Sequence, residues 1–204
     1  MIPGAPEAFS RAVAELARLP GIGEKTAERL AFHLLSRPAA QSASLAAALS
    51  KLRERTRFCS VCHNLTEDEL CAICADPARG EETVCVVEMP QDLQRLEAAV
   101  DYSGRYHVLG GCFAPLEGQF AEDLNLDSLA RRARSGSVRE IILALNPNTE
   151  GEATSELVAR RLQGAGVSLT RLATGIPQGA LIQWASRGSL QDAFSFRRPH
   201  EPWR

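Results

Sequence analysis

The sequence predicts an α/β protein that opens with an all-α module, passes through a short four-cysteine segment and continues into a parallel-sheet domain. Three observations predict it. Apolar residues recur at helical spacing on both sides of a Pro-Gly-Ile-Gly turn near the start. Four of the six cysteines fall between Cys59 and Cys74. From Thr83 onward, apolar β-rich runs alternate with helical ones. The 204 residues suffice for one large domain or two to three small ones with a core of useful size. Boundaries are expected near residues 57, 77 and 174, giving segments 1–57, 58–77, 78–174 and 175–204.

The composition, 45% apolar and 24% charged, is that of a globular chain rather than a disordered or fibrous one. The start, "MIPGAPEAFSRAVAEL", has no basic stretch followed by an apolar run, so no signal peptide is expected. No apolar stretch approaches the roughly 20 residues of a membrane span. A cytoplasmic protein with reduced thiols is therefore expected. Isolated Cys85 and Cys112 sit among apolar residues and read as small buried hydrophobes.

The first helix is marked by Phe9, Val13, Leu16 and Ala17, and the turn Pro20-Gly21-Ile22-Gly23 ends it. Ala27, Leu30, Ala31, Leu34 and Leu35 mark the second. Helix, Gly-Ile-Gly hairpin, helix is the layout of a helix-hairpin-helix motif. The glycines let backbone N–H groups approach a phosphate closely, and the N-terminus of the second helix adds the positive end of its dipole. Lys25 and Arg29 are four apart and lie on one face beside that site, with Thr26 between them in sequence. Gly21, Gly23, Lys25, Thr26 and Arg29 are thus the candidate DNA-binding residues, gripping backbone without reading bases. An ordinary turn between bundle helices with solvated charges would use the same residues, but the basic surroundings favour the anion site. "GIGEKT" is not an ATP phosphate loop, because Glu24 rather than Gly precedes Lys25 and no strand leads in.

A third helix follows in "QSASLAAALSKLRERTRF", with Leu45, Leu49 and Leu52 as its apolar line. Its end carries Lys51, Arg53, Arg55 and Arg57. These either complement the helix C-terminus or extend a DNA-facing surface. Residues 1–57 hold nine Lys or Arg against five Glu, a balance of +4; the whole chain is −2, which leaves −6 for the remainder. The basic charge is therefore concentrated where the hairpin is. An aromatic content of 5% disfavours a base-stacking platform for single strands.

Cys59-x2-Cys62 and Cys71-x2-Cys74 are two knuckle spacings eight residues apart. In a reduced compartment this predicts a tetrahedral four-sulfur zinc site rather than a disulfide knot or a redox pair. Four thiolates leave no open position, so the zinc is structural, and His63 is a bystander. A loop-rich segment of this size cannot bury a core of its own, so the metal supplies its folding energy and makes it a rigid joint.

Strands are then expected in "TVCVVE", "RYHVLGG", "VREIILAL" and "VSLTRLA", and helices in "PQDLQRLEAAVD", "LNLDSLARRAR" and "EGEATSELVARRLQ". Alternation of this kind requires parallel pairing through helical crossovers. Ligands of such sheets sit at the carboxyl ends of the strands, where Glu88 and "NPNTEGE" lie. A glutamate with an Asp-x-Asp there would hold magnesium; Asn146 and Asn148 stand in place of the two Asp. Glu88, Glu150 and Glu152 remain as a candidate acidic face for docking a partner, or as favourable charge at a helix N-terminus.

The chain resembles the RecR family of bacterial recombination mediators in "LPGIGEKTAERLAFHLL", the four-cysteine spacing, "VCVVEMPQDL", "YHVLGG", "LNPNTEGEATSELVARRL" and "TRLATGIPQGALIQWA". The resemblance spans nearly the whole chain. It implies a helix-hairpin-helix module, a four-Cys zinc finger and a Toprim-like parallel-sheet domain. It also implies a non-enzymatic DNA clamp, assembled as a homo-oligomeric ring, typically a tetramer. Such a clamp works with RecO, and sometimes RecF, to load RecA on single-stranded gaps coated by SSB, in the bacterial cytoplasm at the nucleoid. Lys25 and Arg29 would be DNA contacts and the four cysteines zinc ligands. Toprim enzymes use a glutamate, matched by Glu88, and an Asp-x-Asp, which this chain lacks. The alternative is a magnesium-dependent nuclease or primase. The chain departs from the family in "ASRGSLQDAF", with Ser186 and Ser189, and in a tail that runs on through Pro199, Pro202 and Trp203. The family uses this region for subunit contacts. Two apolar surfaces are candidates for such contacts, or else for the core of a monomer: Phe9, Val13 and Leu16, and the stretch with Leu181, Ile182, Trp184, Leu190 and Phe194.

Overall fold

The computed structural model describes residues 4–199; Pro202 and Trp203 of the tail lie outside them. The chain forms two compact units, residues 1–56 and 57–204.

The first unit is three helices. Helix α1 (Glu7–Ala17) follows Pro6 and opens on an acidic residue, which suits the positive end of its dipole. Helix α2 (Glu24–Leu35) starts from extended Gly23 and likewise opens on an acid. The small residues Ala27 and Ala31, one turn apart, are its buried positions, so α1 and α2 pack closely. The rings of Phe9 and Phe32 meet at 4.7 Å between centroids. Helix α3 (Ala39–Arg55) buries no residue, and its expected apolar line of Leu45, Leu49 and Leu52 is exposed. It stops at Arg55 rather than running to Phe58, because Thr56 turns extended and the next two residues join a sheet.

The second unit starts with the cysteine segment: a two-residue antiparallel ladder, β1 (Arg57–Phe58) with β2 (Leu65–Thr66), and a single turn of helix, α4 (Ala72–Ala75). A four-stranded sheet follows, with strands β3 (Thr83–Val87), β4 (Arg105–Val108), β5 (Glu140–Leu143) and β6 (Ser168–Arg171). Their order is β4-β3-β5-β6, and every pairing is parallel. The crossovers are helices α5 (Pro90–Ala99), α6 (Leu126–Ala133) and α7 (Thr149–Arg161).

Side chains of the sheet alternate between two cores, as the pleat requires. Val84 and Val86 join Ile141 and Leu143 under α6 and α7, with Leu129 and Val158 among the contributors. Cys85 and Val87 face the other way, with Tyr106, Val108 and Leu93 of α5. Helices on both faces make the doubly wound layer that the alternation predicts, and explain why β3 reads as an unbroken apolar run. Cys85 is the buried hydrophobe expected, its thiol pushed up to about 12 by burial; Cys112 is only half-buried.

Strand β4 ends at Val108, three residues before the apolar pattern does. Leu109 and Gly110 still donate to Val87 and Glu88 carbonyls, but Gly110 turns left-handed at φ +88° and takes the chain away. Past the sheet, a short turn at Ile182–Trp184 and helix α8 (Arg187–Ser195) form a segment with no buried residue. It is tied back where the Thr174 hydroxyl donates to Asp192 at 2.7 Å.

Candidate metal centre and nucleic-acid interface

Two knuckles build the metal centre. In the first, Cys59 N–H donates to Asn64 O at 2.7 Å and His63 N–H returns to Cys59 O at 3.0 Å, closing a tight turn that presents Cys59 and Cys62. His63 completes that turn at φ +60°, a strained position for a side-chain-bearing residue. In the second, Cys71 caps α4 and Cys74 lies in it. All four sulfurs lie within 4.8 Å of one another, and all four residues are buried. Zn–S bonds of about 2.3 Å put tetrahedral sulfurs roughly 3.8 Å apart, so the set fits a single ion. The Cys62 thiol is pushed up by its hydrogen bond with Cys74 and by burial, and Cys71 by burial, while Cys74 is pushed down by the Cys62 hydrogen bond. One dication replaces those shared protons at once. The cluster is the site of one structural zinc, held by sulfur alone; the His63 ring instead meets the Ser128 hydroxyl at 2.8 Å.

The knuckles rest on strand β4, the edge of the sheet. Val108 N–H donates to Cys62 O at 2.8 Å, and Arg105 Nη1 to Cys74 O at 3.3 Å. Beside them Arg132 Nη1 donates to Tyr106 O at 2.7 Å, and Asn125 Nδ2 to Val108 O at 3.1 Å. These polar groups of β4 are thus engaged by the zinc segment and by side chains, which protects an edge that would otherwise pair with another chain. Sequence reasoning missed Arg105, Asn125 and Arg132, since only the partners' positions in space give them a role.

The hairpin lies in the first unit. Leu19 O accepts the Ile22 N–H at 3.1 Å, and Gly21 turns the chain at φ +78°. Gly23 O then accepts from Thr26 and Ala27 at 3.0 and 2.9 Å to start α2. The N–H groups of Gly23, Glu24 and Lys25 find no acceptor among the described residues, as expected of a helix start. A Cβ added at Gly21 or Gly23 would meet nothing within 4 Å, so this face is open. Lys25, Thr26 and Arg29 are all exposed beside it.

At the carboxyl ends of β3 and β5 the structure brings Glu88 to Asn146. Glu88 is 7% exposed, and its two oxygens accept the Asn146 N–H at 2.8 Å and the Asn146 Nδ2 at 2.7 Å. Asn148 caps α7, its Oδ1 accepting from Gly151 N–H at 2.8 Å. Glu152 is held by Arg171 through two contacts, at 2.6 and 3.0 Å. Glu88, Glu117 and Glu150 all act on Cys112, whose thiol is pushed up first by burial and then by their charge. Of the three carboxylates expected to share a face, two are engaged within the fold.

Residues 9–53 match the family described as RecR, helix-hairpin-helix; residues 56–76 match the four-cysteine zinc finger domain of RecR; and residues 82–173 match the Toprim domain. A recombination protein RecR from Chloroflexus aurantiacus is 49% identical over 189 residues, 93% of each chain. One from Rhodopirellula baltica is 48% identical over 191 residues, covering 94% of this chain and 96% of its own. One from Frankia alni is 46% identical over 184 residues, covering 90% and 92%.

Proposed function

The chain belongs to the RecR family of recombination proteins, and from that premise we propose that it is a non-enzymatic DNA clamp of recombinational repair. In this reading it assists RecO, and RecF where present, in loading RecA onto single-stranded gaps coated by SSB. It acts in the cytoplasm, at the nucleoid.

The observation that carries the reading is the hairpin: a left-handed Gly21, three uncommitted N–H groups at the start of α2, and Lys25 and Arg29 on the adjoining exposed face. Such a surface holds a phosphate by hydrogen bonds, dipole and charge together, with Gly21, Gly23 and Thr26 shaping the approach. Contacts of this kind go to the phosphate backbone, so affinity is expected to be independent of sequence and to fall with salt. One hairpin reaches few phosphates. A closed homo-oligomer, a tetrameric ring, sets several on the same DNA and raises avidity.

The zinc segment, residues 58–77, serves the clamp as a joint between residues 1–57 and the sheet domain, residues 78–174; residues 175–204 serve assembly. Of the acidic face, Glu150 is the carboxylate with the most freedom to meet a protein partner; Glu88 and Glu152 contribute through the shape of the site. A magnesium-dependent nuclease or primase is disfavoured, because the carboxylate such an enzyme would use is already satisfied by an amide.

The test is anisotropy of labelled single- and double-stranded DNA of several sequences over a salt series, with DNA integrity followed in magnesium and manganese. Binding that is sequence-independent, salt-dependent and leaves the DNA intact is expected. Strong sequence preference or metal-dependent cleavage would overturn the reading.

A further inference from the structure

The metal that the Toprim fold carries in its enzymes does not fit the residues here. Magnesium needs about six oxygen ligands in near-octahedral array and takes one or two of them from carboxylates. Glu88 has both oxygens engaged by one residue, Asn146. The Asn148 side-chain oxygen is spent on the cap of α7. Glu152 is paired with Arg171. The start of α7 also packs directly against this site: a Cβ on Gly151 would fall 1.9 Å from the Asn146 carbonyl oxygen.

We infer that the Asn146 carboxamide takes the place of a divalent cation, bridging the carboxyl ends of β3 and β5 through Glu88 and making the sheet domain independent of magnesium. A buried carboxylate must have its charge met or its oxygens filled. In a magnesium site the ion does this for two facing carboxylates. Here the backbone N–H and the Nδ2 of one residue do it in a bidentate pair, and hydrogen bonds to a charged acceptor are the strong kind. The two residues are 58 apart in the chain, so the pair closes a long loop between adjacent strands. Asn146 is consequently more than a lost ligand: its amide polarity fixes which species the pocket accepts.

Isosteric exchange tests this by melting temperature with and without 10 mM magnesium or manganese, independently of any DNA measurement. The wild-type protein should not respond to either metal. Asn146→Ala leaves one Glu88 oxygen unfilled and should melt lower, again without response. Asn146→Asp sets two carboxylates face to face, so one must stay protonated or a cation must bridge them; it should melt lower and recover by about 2–4 °C with metal. The double exchange Glu88→Gln with Asn146→Asp restores the pair with its polarity reversed: the carboxamide now just after β3 accepts from the backbone N–H at position 146 and donates to the carboxylate introduced there. It should melt above Asn146→Asp alone and not respond to metal. A metal response of the wild-type protein, or a double variant no more stable than Asn146→Asp, would overturn the inference. So would an Asn146→Asp variant that metal does not rescue.

Discussion

The backbone N–H of Val108 donates to the carbonyl oxygen of Cys62 at 2.8 Å, so a zinc ligand is hydrogen-bonded directly to the edge strand of the sheet. The metal centre is therefore part of how the sheet domain ends. Without zinc the knuckle turn loses its cross-link, and the polar groups of β4 that it covers face solvent.

Purified without chelator, the protein should contain about one zinc per chain, with sulfur as the only ligand type in its absorption spectrum. Cys59→Ser or Cys74→Ser should lower both zinc content and melting temperature, and should promote association through the uncovered β4 edge. Hydrogen exchange at Val108 is the direct readout. A metal-free variant that kept Val108 as protected as in the wild type would show that the knuckle stands without its ion.

Lys25→Ala and Arg29→Ala should each weaken DNA binding about equally for all sequences and reduce the salt slope by roughly one unit. Gly23→Ala separates approach from charge. Its Cβ meets nothing within 4 Å, and a Gly-to-Ala change at an N-cap costs about 1 kcal/mol, so the fold should persist while DNA affinity falls. Unchanged affinity in all three variants would remove the hairpin from the DNA surface.

What the sequence revealed was whatever lies close along the chain. The cysteine spacing, the Gly-Ile-Gly hairpin and the alternation of strands with helices are local patterns, and the structure contains each of them. The strand order was not legible, because placing β3 between β4 and β5 depends on pairings between distant residues. Nor was the fate of Glu88: its type suggested an available carboxylate, but its burial and its partner 58 residues away are tertiary facts. The ladder of β1 and β2 is two residues long, too short to show alternation. Helix α8 had one readable signal, Ser186, whose hydroxyl accepts the Ser189 N–H at 3.1 Å as an N-cap; its weak apolar pattern concealed it.

Stability should fall in acid partly through His107. It is wholly buried, its Nε2 meets Asn125 O at 2.9 Å, and burial lowers its pKa from 6.5 to about 3. The unfolded chain takes up that proton near pH 6.5 and the folded protein refuses it, so the unfolded state binds more protons as pH falls. The His107 contribution is complete above the unfolded value and declines below it, by about 1.4 kcal/mol per pH unit. His63, lowered by burial and by Arg131, acts in the same sense, as does protonation of the zinc thiolates. A His107→Gln variant retaining its zinc should therefore show a shallower loss of stability between about pH 6.5 and pH 5 than the wild type. Equal slopes would take His107 out of the acid response.

Glu88→Ala should leave nucleic acid as intact as the wild-type protein does in magnesium or manganese, since the wild type is expected to have no cleavage to lose. It should melt lower, because Asn146 loses both acceptors. Cleavage by the wild type that disappears in this variant would restore the enzymatic alternative.

Assembly is the last expectation. Leu181, Ile182, Trp184 and Phe194 are 59%, 69%, 80% and 73% exposed, on a segment with no buried residue of its own. Full burial of such side chains is worth about 1.5–3 kcal/mol each, so leaving four of them in water on one short segment is costly unless another surface covers them. A ring needs two kinds of subunit contact, or one head-to-tail contact that closes. The second apolar surface is on α1, where Phe9, Val13 and Ala17 line an open cavity of about 150 Å³. Deleting residues 187–204 removes α8 with Leu190 and Phe194, and should reduce both the oligomeric mass measured by light scattering and the DNA affinity. Zinc content should be unchanged, because the knuckles rest on β4 rather than on α8. Loss of mass with loss of zinc would instead indicate a damaged fold, and Phe194→Ser with Trp184→Ser then tests the surface without truncation. A protein that keeps its full mass and its DNA affinity after these changes would show that the C-terminal surface has no part in the ring.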